Sequence, residues 1–138
     1  MQLTLHLSDL HRQQLYRHAD ESLPLESVAL LFGHTEESTV RVTRIELLQN
    51  SADSRVRFAV EPEEQYRLLV EAEERDEELV CVFHSHPAPP KPSTIDLRYM
   101  RLNPVVWLIA SKLTGSWESS AYILDGESVT EVSLVSDE

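Results

Sequence analysis

His84 and His86 stand one residue apart, and Asp96 follows ten positions after the second. Two imidazoles and one carboxylate are the donors with which proteins commonly hold a catalytic zinc ion, leaving a fourth tetrahedral position for water; closed structural sites use four protein ligands. The residues just ahead, Glu78 to Phe83, form an apolar, β-branched run that reads as a strand entering the pair. Side chains alternate across a strand, so His84 and His86 share a face and one ion can meet both rings. Cys81 is an odd number of residues from His84, faces away from both histidines and reads as a small buried apolar residue.

The carboxylate has to be brought back to the histidines by what lies between. Pro87 to Pro92 holds four prolines in six residues, which cannot continue a strand and predict a stiff loop. Ser93-Thr94-Ile95-Asp96 then reads as a helix start, with Ser93 at the N-cap and Asp96 three residues on, where a negative charge suits the positive end of the helix dipole. Upstream, Glu26 sits at the edge of Val28 to Phe32, a run that reads as a buried strand. Most of the other acids lie between Glu61 and Glu78 and towards the C-terminus.

These residues resemble the signature of the JAMM (MPN-plus) metalloproteases: an upstream Glu, then His-Ser/Thr-His-Pro, then Ser-x-x-Asp. Here it is carried by Glu26, by His84-Ser85-His86-Pro87 and by Ser93 to Asp96. The resemblance implies His84, His86 and Asp96 as ligands of one Zn2+ per chain. It also implies Glu26 as the general base and Ser93 as a hydrogen-bond donor to the oxyanion of an amide hydrolysis. The Pro24-Leu25-Glu26 stretch opening an apolar run that ends in Gly33 matches the family's usual setting for that Glu. Two departures are visible. Six residues separate His86 from Ser93 where the family has seven, and Ala29 stands where many members have Gly. The shorter loop is expected to bear on metal affinity, and the added methyl on the space beside a substrate tail.

The resemblance also implies a substrate class. Compact members of the family act at the Gly-Gly tail of ubiquitin-like and sulfur-carrier proteins, and the short stretch from Asp96 to Pro104 leaves little room for a ubiquitin-gripping insertion. Such a tail is expected to be the partner, lying as an added strand along an edge of the sheet. Two alternatives stand beside this one: a non-catalytic MPN-like binding scaffold, and a zinc peptidase for unrelated small peptides.

Composition narrows the classes further. The 138 residues can bury a core without disulfides or a structural metal, and 41% are hydrophobic. A net charge of −12 argues against nucleic-acid or anionic-membrane partners, which need Lys and Arg to neutralise phosphates. One cysteine excludes an internal disulfide, and Met1 to His6 lacks the basic start and long apolar segment of a signal peptide, so a cytoplasmic location is expected.

The expected architecture is α/β: a single domain over residues 1–138, with a mixed β-sheet packed by helices. A helix follows Ser8 to about Asp20, with Leu10, Leu15 and Tyr16 as core candidates and His11 and His18 on its wet side. Strands follow at about 26 to 33, 39 to 48 and 56 to 60. A second helix over 61 to 76 starts near Pro62 and turns Tyr66, Leu69 and Val70 inward, with its acids solvated. The motif strand near 79 to 86 leads to a helix over 94 to 102. Strands near 105 to 111, 117 to 124 and 128 to 135 complete the chain, the first covered on both faces and the last two joined at Asp125-Gly126.

Overall fold

A computed structural model describes residues 2–50 and 60–137. In chain order the elements are β1 (Thr4–Ser8), α1 (Asp9–Ser22), β2 (Val28–Glu36), β3 (Thr39–Leu48), α2 (Pro62–Glu74), β4 (Glu78–Ser85), α3 (Thr94–Leu102), β5 (Val106–Ser111), β6 (Glu118–Asp125) and β7 (Ser128–Asp137). The expected α/β architecture with a mixed sheet is present. Of the strand expected at 56 to 60, residues 56–59 lie outside the described residues and Val60 is not in a strand.

The strands run β1-β3-β2-β4-β5-β6-β7 and close on themselves, because β1 pairs in parallel with both β3 and β7. Among the described residues every strand has a neighbour on both sides, so the expected open terminal strand is not there, although β1 pairs only with Thr39, Val40 and Arg41 of β3. The closing strand went unassigned in the sequence, although Leu3, Leu5 and Leu7 alternate with polar residues as a half-buried strand should. Gly33 marks a tight point between β2 and β3. The register shifts beside it, and a Cβ there would lie 1.9 Å from the carbonyl oxygen of Arg41.

Alternation divides the core in two. One cluster joins Leu15 and Ala19 of α1 to Leu5, Leu31, Phe83, Leu108 and other strand residues. The other joins Val28, Leu30, Phe32, Val82 and Trp107 to Leu68 and Ala72 of α2 and Met100 of α3. A register shift in the β2–β4 ladder, where Leu31 faces Cys81 but Phe32 faces Leu79, lets Val80 and Cys81 both join the α1 cluster. Cys81 is fully buried there and points away from the histidines as expected, and burial pushes its thiol pKa up. β5 is buried at every position.

Helix phase differs from the sequence reading at several places. Leu10 is exposed and α1 packs through Leu15 and Ala19. In α2, Tyr66 and Leu69 face outward while Leu68 and Ala72 are buried. His11 and His18 are half-buried, not solvated. Nε2 of His18 lies 3.0 Å from the Val28 carbonyl oxygen and 2.9 Å from that of Leu48, tying α1 to the ends of β2 and β3.

Candidate metal centre

The site forms where β4 ends against the start of α3. His84 follows Val82 on the face that carries α2 and α3, and it pairs across the ladder with Val28 of β2 and Ile109 of β5. Trp107 sets its ring edge to face against His84, with centroids 5.8 Å apart. α3 is seated on the same face through Met100. Asp96 lies four residues before Met100, one turn away on the same stripe, so docking the helix delivers the carboxylate to the histidines.

The start of α3 is built as the sequence predicts. The Ser93 hydroxyl accepts from the Asp96 N–H at 3.1 Å, and the Ser93 N–H donates to Asp96 Oδ2 at 2.8 Å. This reciprocal capping box leaves Asp96 Oδ1 directed at His84 Nε2, 3.1 Å away. The proline loop is held from outside by the Tyr122 hydroxyl, which donates to the Pro90 carbonyl at 2.9 Å.

His84, His86 and Asp96 are all buried, and their ligand atoms lie within 4.8 Å of one another. The His84 and His86 rings meet edge to face at 5.1 Å. His86 Nδ1 lies 3.2 Å from the Ala88 carbonyl, which suits a ligand histidine whose outward N–H is held by a backbone acceptor. Its Nε2 lies 3.7 Å from Asp96 Oδ2 and 3.0 Å from the Lys91 carbonyl, which the six-residue loop folds against the ring. The donor set is the nitrogen and oxygen set that divalent zinc accepts, and its close, buried grouping fits such an ion.

Glu26 lies two residues before β2, not within a strand beginning there, and is 4% exposed. Its Oε1 is 3.7 Å from His84 Nδ1. His84 therefore stands between two carboxylates. Burial alone would lower its pKa, but Asp96 and Glu26 outweigh that and raise it to about 9. Burial raises the Asp96 pKa, but His84 and the Ser93 contacts overcome this and hold it below the ordinary carboxylate range.

A cleft of about 230 Å3 opens beside this group. Glu26, Ser85 and His86 lie on it, and its apolar wall includes Leu23, Pro24, Leu113 and Trp117. That wall is tethered: Asp20 Oδ1 accepts from Lys112 Nζ and Trp117 Nε1, each at 2.9 Å, which joins the β5–β6 connection to the end of α1.

All five residues singled out in the sequence thus converge on one place. The sequence reading missed the supporting residues: Trp107 against His84, Asn50 on the Glu26 backbone, and the Ser27–Ser85 pair. Ser85 stands inside the histidine motif and was open to notice; Asn50 carries no local signal.

The chain matches the model for prokaryotic homologs of the JAB domain over residues 9–121. It is 38% identical over 116 residues to a desampylase from Pyrococcus furiosus, a match covering 83% of this chain and 78% of that protein. It is 32% identical over 87 residues to 26S proteasome non-ATPase regulatory subunit 14 from Dictyostelium discoideum, covering 61% of this chain and 28% of that one. Among solved structures, the solution structure of protein DSY2949 from Desulfitobacterium hafniense superposes with a TM-score of 0.86 at 26% identity, covering 98% of this chain and 94% of the other.

Proposed function

The chain belongs to the prokaryotic JAB-domain family of JAMM metallopeptidases, and on that premise we propose that it is a zinc-dependent isopeptidase acting after the Gly-Gly tail of a ubiquitin-like or sulfur-carrier protein. The observation that carries the reading is the buried His84–His86–Asp96 group with the Glu26 carboxylate against it and a cleft opening beside it. The likeness to a desampylase, with most of both chains matched, supports a ubiquitin-like modifier as the protein to be removed. The proposed setting is cytoplasmic. Among the described residues no helix is long and apolar enough to cross a membrane.

In this reading His84, His86 and Asp96 hold the zinc. When bound, zinc supplies Lewis-acid polarisation of the scissile carbonyl and acidifies water. Glu26 takes the proton of the attacking water and returns it to the departing amine, which calls for a carboxylate close to the ligands but outside their set. The Ser93 hydroxyl accepts from the Asp96 N–H, so its own hydrogen is left to donate to the oxyanion as the tetrahedral intermediate forms. Burial of Glu26, His84, His86 and Asp96 lowers the local dielectric and strengthens the interactions they make.

The cleft is smaller than a drug-sized pocket. A tail of two glycines can pass through such a space because its backbone carries no Cβ. In this reading the tail lies extended in the cleft beside the histidines. The test is cleavage of carrier-protein fusions by zinc-loaded enzyme, with products identified by mass spectrometry. Cleavage after the second glycine is expected, and replacing the terminal glycine by Val should suppress turnover far more than changes on the carrier's distant surface. Efficient cleavage elsewhere would favour a general peptidase, and zinc binding without cleavage of any carrier would favour a scaffold.

A further inference from the structure

The proposed base, Glu26, stands outside the β-ladder, in a connection between α1 and β2 that would by itself leave its carboxylate free to wander. Three side chains pin the backbone at and beside it. Ser85, the residue between the two histidines, is buried, and its hydroxyl accepts from the Ser27 N–H at 3.0 Å. The same oxygen lies 2.6 Å from the Ser27 hydroxyl. The Ser85 N–H in turn donates to the Ser27 carbonyl at 3.1 Å. Ser27 is thereby locked to the histidine strand one residue past the last ladder pair, Val28 with His84. On the other flank, the buried Asn50 side chain donates to the Glu26 carbonyl at 2.9 Å.

Alternation adds the decisive point. Ser85 projects to the opposite side of its strand from His84 and His86, so its hydroxyl is no metal ligand. A side chain buried in the middle of the motif with its oxygen committed to Ser27 has one evident consequence: it sets the height of the neighbouring Glu26 relative to the ring of His84, now 3.7 Å from Glu26 Oε1.

We propose that Ser85, through Ser27, and Asn50 are positioning residues that hold Glu26 in register with the histidines. The inference rests on Glu26 being the base of the proposed hydrolysis, but the placement it describes exists with or without turnover. A one-ångström misplacement of a reacting group costs up to about 10²-fold in rate. Ser85→Ala should therefore lower kcat by at least about tenfold while leaving KM within about twofold and zinc per chain unchanged. Ser85→Thr, which keeps the hydroxyl, should restore kcat. In a Glu26→Gln background Ser85→Ala should add little, because the group it positions has already lost its function.

A second readout needs no substrate: the 13C resonance of the Glu26 side-chain carboxyl should move in Ser85→Ala and return in Ser85→Thr. Asn50→Ala, which leaves the motif intact, should reproduce both effects and serves if Ser85→Ala does not fold. An unmoved Glu26 resonance in both alanine variants, or a kcat loss as large in the Glu26→Gln background as in the wild type, overturns the proposal. Absence of turnover in the wild type would count against the hydrolase reading alone, and the carboxyl resonance would then decide the positioning role.

Discussion

Asp96 does two jobs that one substitution can separate. Its carboxylate meets both histidines, and its side chain closes the capping box of α3. Asp96→Asn preserves shape and an acceptor for the Ser93 N–H, so the cap should survive; losing it altogether, as in Asp96→Ala, would cost about 1 kcal/mol more. What Asn cannot supply is the charge. In metal-free protein the Asp96–His84 contact is a buried ion pair, whose breaking typically costs about 3–5 kcal/mol. The low end is expected, about 3 kcal/mol, because Glu26 remains beside His84 and the imidazole can shed its proton. For a chain of this size that corresponds to a fall in Tm of about 10 °C.

The pH dependence of that loss has a definite sign. His84 has its folded pKa raised to about 9 from 6.5, so its contribution is full below about 6.5 and disappears as pH rises through about 9. Asp96 has its folded pKa lowered, so its contribution is present above the ordinary carboxylate pKa and disappears as pH falls through the lowered one. The stability gap between wild type and Asp96→Asn should therefore be widest from about pH 4 to 6.5 and narrow as pH rises through about 9. Zinc supplies the second measurement. At 100 times its Kd it should stabilise the wild type by about 2.7 kcal/mol, and Asp96→Asn by nothing comparable. Thermal unfolding of chelator-stripped and zinc-reconstituted protein across this pH range measures both. A zinc-dependent rise in Tm that persists undiminished in Asp96→Asn would refute the assignment of Asp96 as a ligand.

Two further outcomes are expected, one at this site and one away from it. Glu26→Gln should keep the fold and the zinc, measured by metal analysis, while hydrolysis falls by at least about 10²-fold; full activity would send the search for the base to another carboxylate. Glu77 accepts from Arg44 Nε at 2.9 Å and from Thr43 Oγ1 at 3.0 Å. Burial raises its pKa, but those two partners, with the charge of Arg75, outweigh it and leave the pKa lowered. Its stabilisation is thus present above the ordinary carboxylate pKa and lost as pH falls through the lowered folded value. Glu77→Gln should cost about 1 kcal/mol at pH 7 and nothing at strongly acid pH, as urea unfolding at the two pH values would show.

The candidate metal group, His84, His86 and Asp96, was legible in the sequence because strand alternation and helix capping place its members. Strand alternation puts His84 and His86 on one face and Cys81 on the other, and the capping step of Ser93 and Asp96 sets the carboxylate at the first turn of α3. Glu26 was separable among the 24 acids only through a short apolar context and a family resemblance. The helix faces were not legible in the same way. Leu10 and Leu15, or Tyr66, Leu68 and Leu69, offer competing apolar stripes, and only the sheet beneath decides which is buried. Closure of the sheet by β1 depends on parallel pairing with β7, from Thr4 with Ser133 onward, which no local period announces. The contacts that seat Glu26 likewise span the chain, from Ser27 to Ser85 and from Glu26 to Asn50. Periodicity determines where a side chain points along its own element; which distant groups it then meets is decided by packing, and so the group of His84, His86 and Asp96 could be read from the sequence while the frame that places Glu26 beside it could not.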